Sequence, residues 1–374
     1  MMKLRLVDDW APLRDRADEW NALLDGSRPE DKFLTFEWSD ALRQARSPGQ
    51  AVPALVGEDA GRLIVVWPLI LTKRTVARVV PCRIAGDLSQ WFAPHHGVIC
   101  ARDRVDVIYA CIDFLRRHVP RWDVLELGGI LENGETHRAI ESACRELHLC
   151  SDLRAGTSSP YLPLENTWQD YLAGCSSKFR SDLKRCEKSL AKLGQPECRF
   201  HEAYGELSAA YEQVLAVERQ SWKHSEGSAI TSRPWEDALY RELLDRAGPR
   251  GWLQVTLLTI DGEPVAHDFG MIYQGRYACL KTSFVERVRS ANAGKVLRRH
   301  IIESLYARGI REHDFLGEAE PWKLQWTREV RPHVTLVIYR HRWHAHARRL
   351  VRQLRAKWAC EPPATGPSPA ADGE

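Results

Sequence analysis

Between residues 51 and 76 the apolar positions fall in two runs, "AVPALVGED" and "RLIVVWPLILTKR", on either side of a Gly/Asp turn at Gly61. The pattern predicts two joined strands. "VVPCRIAG" and "HHGVIC" are short apolar runs that add strands. In "VDVIYACIDFLRRHV", Val107, Ala110, Cys111 and Phe114 share one side, which predicts an amphipathic helix. "WDVLELGG" reads as a strand, "ETHRAIESACRELHL" as a second helix, and residues 151–163 as a crossing segment.

The later half repeats the sequence of elements. A helical, basic stretch opens at Trp168, and "LSAAYEQVLAVERQSWK" reads as one helix carrying both Glu218 and Lys223. Three strands follow in "GWLQVTLLTIDGEPVAHDFGMIYQGRYACLKTSFV", with two-residue turns at Asp261-Gly262 and Gln274-Gly275. "NAGKVLRRHIIESLYARGI" is a helix closed by Gly309, and "REHDFLG" and "PHVTLVIYR" are strands. Meander, helix and strand thus occur twice. The expected fold is α/β in the α+β sense: two related domains, each a mixed, mostly antiparallel sheet flanked by helices. The expected limits are 1–155 and 156–345, with a basic helix at 346–360 and a disordered Pro/Gly/Ala-rich tail at 361–374.

Composition narrows the class. A chain of 374 residues, 44% hydrophobic and 28% charged, is globular and long enough for two ordinary domains. Its ten cysteines are scattered without a CxxC or Cys/His cluster, which argues against a disulfide framework or a zinc site. The first twenty residues lack an apolar signal core, and "LIVVWPLIL" is too short to span a bilayer. The expectation is a cytoplasmic protein with no metal and no transmembrane segment. The net charge of +3 tolerates an anionic partner without requiring one.

Candidate chemistry gathers in the later half. Gly294 opens a helix whose first N–H groups are free to receive a phosphate, with Arg287 and Arg289 on the approach and Lys295 beside it. Coenzyme A or a phosphopantetheine arm needs such a place; the plainer reading is a glycine that merely starts a helix. In "PVAHDFG", strand alternation puts His267 and Asp268 on opposite faces, so only one of them faces a given cleft. Either one is a candidate base for an amine attacking a thioester or ester carbonyl, with a satisfied core histidine as the rival. A backbone N–H of Lys281–Ser283, or the Thr282 and Ser283 hydroxyls, would hold the oxyanion. The basic run Lys178–Lys192 reads as a solvated helix face. The denser run Arg348–Lys357 fits a membrane surface, an acidic carrier protein or nucleic acid.

Four words, "ERQSWK", "IDGEPVAHDFG", "NAGKVLRRHIIESLYARG" and "HDFLGEAEPWKLQW", resemble the GNAT-like acetyltransferase family associated with bacterial cellulose-biosynthesis proteins. That family is related to the Fem-type aminoacyl-tRNA-dependent transferases, which pair two GNAT-like domains. The resemblance is best from Phe179 to Tyr339 and implies tandem GNAT-like domains. It puts Glu218, Trp222 and Lys223 on one family element, Gly294 and Leu297 on a second, and Asp314, Phe315, Gly317 and Lys323 on a third. Trp322 stands where the family commonly has tyrosine, and it cannot protonate a departing thiolate. By this resemblance Lys323 holds a substrate's negative charge, Trp322 and Trp326 exclude water, and Asp314, Glu318 or Glu320 is the counter-ion. The expected activity is N-acyl transfer from acyl-CoA or an acyl carrier protein to an amine. An aminoacyl-tRNA-dependent amide-forming transferase and a non-catalytic assembly protein in polysaccharide biosynthesis are the alternatives. The missing glycine-rich pyrophosphate loop keeps carrier protein and tRNA open as partners.

Overall fold

Three tight turns build the two meanders. Ala60-Gly61, Asp261-Gly262 and Gln274-Gly275 all have positive φ at both residues, the conformation that matches strand twist in a two-residue hairpin. The computed structural model describes residues 2–24, 28–47, 52–76, 80–88, 95, 97–100, 105–119, 122–341, 343 and 347. Apart from Ala347, the basic helix expected at 346–360 and the tail at 361–374 lie outside these residues.

The strands are β1 Lys3–Val7, β2 Ala54–Asp59, β3 Arg62–Val76, β4 Val80–Asp87, β5 Ile99–Cys100, β6 Val124–Leu131 and β7 Cys150–Pro163. They continue as β8 Pro196–His201, β9 Leu253–Ile260, β10 Glu263–Tyr273, β11 Arg276–Phe284, β12 Glu312–Asp314 and β13 Val330–Tyr339. They form one sheet in the order β1-β2-β3-β4-β6-β13-β7-β12-β11-β10-β9-β8, with β5 beside β3. Two pairs are parallel, β4 with β6 and β11 with β12. Between the members of each pair the chain forms a long helix, Val105–His118 or Ala293–Ala307, as a parallel connection requires. The result is a GNAT-like α+β fold, a mixed sheet flanked by helices.

Two sequence expectations change. Residues 151–163 are not a crossing segment but most of β7, a strand that joins the sheet's two parts. Its beginning pairs with β13, and Tyr161–Pro163 pair with β12. The helix expected to hold both Glu218 and Lys223 ends at Arg219, and Lys223 lies on a separate turn, Trp222–Ser225. Edge strands β1 and β8, and helices Phe36–Arg46 and Pro234–Arg246, were not anticipated. The edge strands carry charge and, in β8, proline, which suits a sheet border and blurs the strand signal.

The core crosses the molecule. Trp20, Phe33 and Trp38 belong to the same buried cluster as Tyr211, Tyr240 and Phe269, so the early helices cover the face of β9–β10. On the other face the helix Ala293–Ala307 packs Leu297, Ile301 and Leu305 against Ala266 and Tyr277.

Candidate functional site

The sheet opens where β12 stops. β11 and β12 pair only from Arg276↔Glu312 to Ala278↔Asp314, and β11 then runs on to Phe284. At its far end, the Glu286 N–H donates to Gln220 O and Ser221 bridges Val285. Among the described residues, no strand lies beside this edge of β11 between these limits. The Val285 N–H donates to Val265 of β10; by strand alternation the main-chain groups of Thr282 and Phe284 face the open edge. Lys223 confirms this, since its ammonium donates to Thr282 O at 2.6 Å. Burial pushes the Lys223 pKa down, against the pull of Glu218. Leu280, Lys281, Thr282 and Phe284 are half-buried, as expected for a strand edge open to solvent.

On one face of this edge lies His267. Its Nε2 meets Glu218 Oε1 at 2.9 Å, and Glu218 Oε2 accepts the Ile230 N–H at 2.8 Å. Burial alone would raise the Glu218 pKa. The His267 hydrogen bond and the nearby Lys281 and Lys223 ammoniums reverse this and take it down to about 2. An ionised carboxylate only accepts, so Nε2 carries a proton, and in the neutral ring Nδ1 then presents a lone pair. That Nδ1 is buried without a hydrogen-bond partner, and so is the hydroxyl of Ser283, the residue directly across from His267 on β11. Lys281 on the same face is tied to Glu236 at 2.8 Å and to Ser228 O at 2.9 Å.

Asp268 takes the opposite face, as alternation requires. Its carboxylate accepts from Tyr277, Cys279 and Arg298. Burial would raise its pKa, but the Arg298 charge and these hydrogen bonds hold it below the ordinary value. Gly270 makes room for this arrangement: a Cβ there would lie 2.2 Å from the Tyr277 hydroxyl. With both oxygens engaged, Asp268 is an ion-pair partner and not an available base. Arg298 also donates to His313 Nε2 at 2.8 Å. The sequence carried a signal for this residue, because Arg298 stands three, four and seven places before Ile301, Ile302 and Leu305 on an apolar helix face.

Asp314 does not serve Lys323, contrary to one sequence expectation. It points to the early part of the chain, 2.8 Å from His95 Nε2 and 3.2 Å from the Lys32 ammonium. His95 Nδ1 is 2.7 Å from His333 Nε2, whose Nδ1 is 3.1 Å from Thr157 O. These three contacts require three protons, and two neutral imidazoles carry two. Against burial, Lys32 and His95 hold the Asp314 carboxyl well below its ordinary range, so it is ionised, and with both rings neutral one of the three contacts lacks a proton. Burial drives the His95 pKa down, while the Asp314 carboxylate works against it. No sequence pattern linked Lys32, His95 and His333 to Asp314.

The loop after Asp314 is closed by Lys323. Its ammonium donates to Leu316 O at 2.7 Å and Glu318 O at 3.0 Å, and pairs with Glu320 at 2.9 Å. Glu320 is thus its counter-ion. Trp326 is buried edge-on to Phe179, whereas Trp322 is 37% exposed beside Phe315. At the start of the helix Ala293–Ala307, Lys295 binds Asp182 at 2.6 Å and Gln325 at 2.8 Å. Arg289 pairs with Glu286, and Arg287 is exposed. Gly294 lies against Phe284, which a Cβ would meet at 3.2 Å, so the helix start adjoins the end of β11. The structure therefore gathers Glu218, Lys223, His267 and Ser283 at the open edge, with Gly294 at its end. It sets Asp268, Asp314 and Lys323 in separate polar networks. Among the described residues, no group of three or more His, Cys, Asp or Glu is placed to hold a metal. Among the same residues, no helix is long and apolar enough to cross a membrane.

Comparison with known proteins gives the same class. The model of the acetyltransferase (GNAT) domain matches residues 177–324, which include the open edge and the helix beside it. The chain contains a GNAT-fold acetyltransferase domain. No curated protein matches it in sequence. Solved structures share the fold along nearly the whole chain. One is the C-terminal domain of a protein named for lysylphosphatidylglycerol synthetase, from Agrobacterium fabrum: TM-score 0.58 at 10% identity, covering 91% of this chain and 96% of that one. FemX gives 0.56 at 9% identity, covering 91% and 97%. A conserved protein of unknown function from Bacteroides thetaiotaomicron gives 0.58 at 12% identity, covering 90% and 100%. At these identities the likeness is one of fold.

Proposed function

We propose that the protein is an N-acyltransferase that moves an acyl group from a thioester to an amine at the open edge of β11. The observation that carries this reading is His267: a buried imidazole held through Nε2 by an ionised Glu218, with a bare Nδ1 beside that edge. Leaving such an acceptor unpartnered in the core costs about 1–3 kcal/mol, a cost that a substrate proton arriving at Nδ1 would offset. It also weighs against a non-catalytic assembly role. The thioester lies along the open edge with its carbonyl oxygen toward the Thr282 N–H. The donor's phosphates reach the first turn of the helix at Gly294, where N–H groups have no helical partner. His267 Nδ1 takes the proton of the attacking amine. Lys223 fixes the Thr282 carbonyl and brings positive charge to the developing oxyanion.

In this reading residues 1–155 and 156–345 are two GNAT-like domains that share β7 at their boundary. Each has a meander leading into a parallel pair, and β13 of the later domain joins the earlier sheet beside β6. A cytoplasmic setting fits cysteines scattered along the chain without the spacing of a disulfide framework. The resemblance to Fem-type transferases makes aminoacyl-tRNA the donor to compare with acyl-CoA and acylated carrier protein. The test incubates the protein with each of the three donors and a panel of primary amines, and follows thiol or tRNA release together with amide formation. Amide formation from acyl-CoA or carrier protein that falls about 100-fold in His267→Gln supports the proposal. Aminoacyl-tRNA as the sole donor replaces the thioester, and no turnover of any donor overturns the acyl-transfer reading.

A further inference from the structure

The Ser283 hydroxyl has no part in a direct transfer from thioester to amine, yet its setting resembles that of a nucleophile. It is 3% exposed and without a hydrogen-bond partner, as is the Nδ1 of His267, which is 0% exposed. The two residues are directly paired across β10 and β11, so their side chains leave the sheet on the same face. Glu218 completes the series by holding the far nitrogen of the ring at 2.9 Å. A hydroxyl, an imidazole and a buried carboxylate on the ring's far nitrogen are the groups that activate a serine; here Oγ and Nδ1 are not hydrogen-bonded to each other, and a side-chain rotation across the pair brings them together when the donor binds. The neighbouring residues Thr282 and Phe284 are half-buried along the open edge, so an acyl donor lying there passes beside Ser283.

We propose that Ser283 carries the acyl group covalently, so that transfer proceeds in two steps through an ester on its Oγ. The inference rests on the acyl-transfer reading above and specifies its chemistry. In the first step Ser283 Oγ attacks the thioester carbonyl carbon while its proton passes to His267 Nδ1. The carbon–sulfur bond breaks and the departing sulfur takes that proton, leaving as thiol. His267 thereby supplies the proton that Trp322 cannot give. In the second step the amine attacks the ester carbonyl and gives its proton to His267 Nδ1. The carbon–oxygen bond to Ser283 breaks, and Oγ recovers the proton. The sum is thioester plus amine giving amide plus thiol. The Lys223 and Lys281 ammoniums lie on the side of Glu218, where they favour its ionised form and thus the imidazolium of each step.

The experiment uses the full chain with acetyl-CoA, an acetylated carrier protein and S-acetyl-N-acetylcysteamine, each without amine. Samples quenched within one turnover are measured by intact mass and peptide mapping, with thiol release followed in parallel. The expected result is one acetyl group on the peptide containing Ser283, a burst of one thiol per enzyme, and loss of the label when amine is added. Ser283→Ala should abolish the burst and lower steady transfer about 100-fold or more. Ser283→Cys should instead retain the label as a thioester. Transfer to amine in Ser283→Ala at a rate within about threefold of the parent, with no label on the parent, overturns the covalent route and leaves direct acyl transfer standing. Absence of thiol release from every thioester, with or without amine, overturns both.

Discussion

His267 and His313 are both fully buried, and each leaves one ring nitrogen without a hydrogen-bond partner. Their chemistry is opposite because their partners are. Glu218 accepts, so a neutral His267 keeps its proton on Nε2 and shows a lone pair at Nδ1. Arg298 donates, so His313 must accept at Nε2 and hold its proton at Nδ1. The unpartnered atom is a base in one case and a spent donor in the other. Burial, followed by the Arg298 charge, pushes His313 down to about 3, which closes its route to a second proton near neutrality. An unsatisfied buried atom therefore marks a site only once its protonation is known, and the residue on the far side of the ring decides that.

The strongest test of this contrast removes the donor. Arg298 is the counter-charge of a fully buried Asp268. Arg298→Met should destabilise the fold by about 3–5 kcal/mol, the cost of an isolated buried carboxylate. Urea unfolding of the single variant and of Arg298→Met/Asp268→Asn measures it, and the double variant should recover much of the loss. A single variant as stable as the parent would show that the pair does not hold this face together.

Substituting the two histidines separates activity from stability. His267→Gln should lose about 100-fold in transfer while its melting temperature stays near that of the parent. His313→Gln should keep its rate and lose about 1–3 kcal/mol of stability, because the Arg298 donor is left with a poorer partner. If both variants lost rate equally, the tautomer argument would not separate a base from a support.

Acid should act through the same groups. His313 and His333 are held at about 3 and His300 at about 4, against an ordinary 6.5, in each case first by burial. A histidine with a lowered folded pKa binds its proton better when unfolded. It contributes full stability above 6.5, and that contribution is lost as the pH falls toward the folded value. At pH 5 the deficit from His313 alone is about 2 kcal/mol. Glu218, lowered from 4.5 to about 2, adds its own loss only below about pH 4.5. Melting temperature should decline from pH 7 to 5 in the parent and more shallowly in His313→Gln. Parallel curves would show that His313 does not titrate in this way.

How far the sequence discloses this site depends on how local the signal is. The three hairpin turns, the helix after β11 and the opposed faces of His267 and Asp268 follow from spacing within a dozen residues. Glu218 and Lys223 carried the resemblance, but their meeting at β11 needs a break after Arg219 that the apolar pattern runs straight through. Contacts such as Lys32 with Asp314 join residues 282 apart, and nothing in a local pattern specifies them. The pairing of Ser283 with His267 lies between these cases. It follows from the Gln274-Gly275 turn once the bulge between Phe269 and Gly270 is known, and that irregularity is hidden in an unbroken strand signal.

Lys323 offers the smallest and most discriminating effect. An ammonium has three donors, and here it has three acceptors: the carbonyls of Leu316 and Glu318 and the carboxylate of Glu320. Leu316 and Gly317 both have positive φ, which bends the chain around the ammonium, and a Cβ on Gly317 would come within 3.3 Å of it. Lys323 thus has no N–H to offer a substrate unless a loop contact is released. Lys323→Met strands two carbonyls and should cost about 1–3 kcal/mol of stability by urea unfolding. Glu320 is half exposed, so Glu320→Gln should cost well under about 1 kcal/mol. Transfer by the folded Lys323→Met protein, measured well below its melting temperature, should stay within about threefold of the parent. A loss of about tenfold or more in a variant that melts like the parent would mean that one of the three acceptors is exchanged for substrate, and would restore Lys323 to the site.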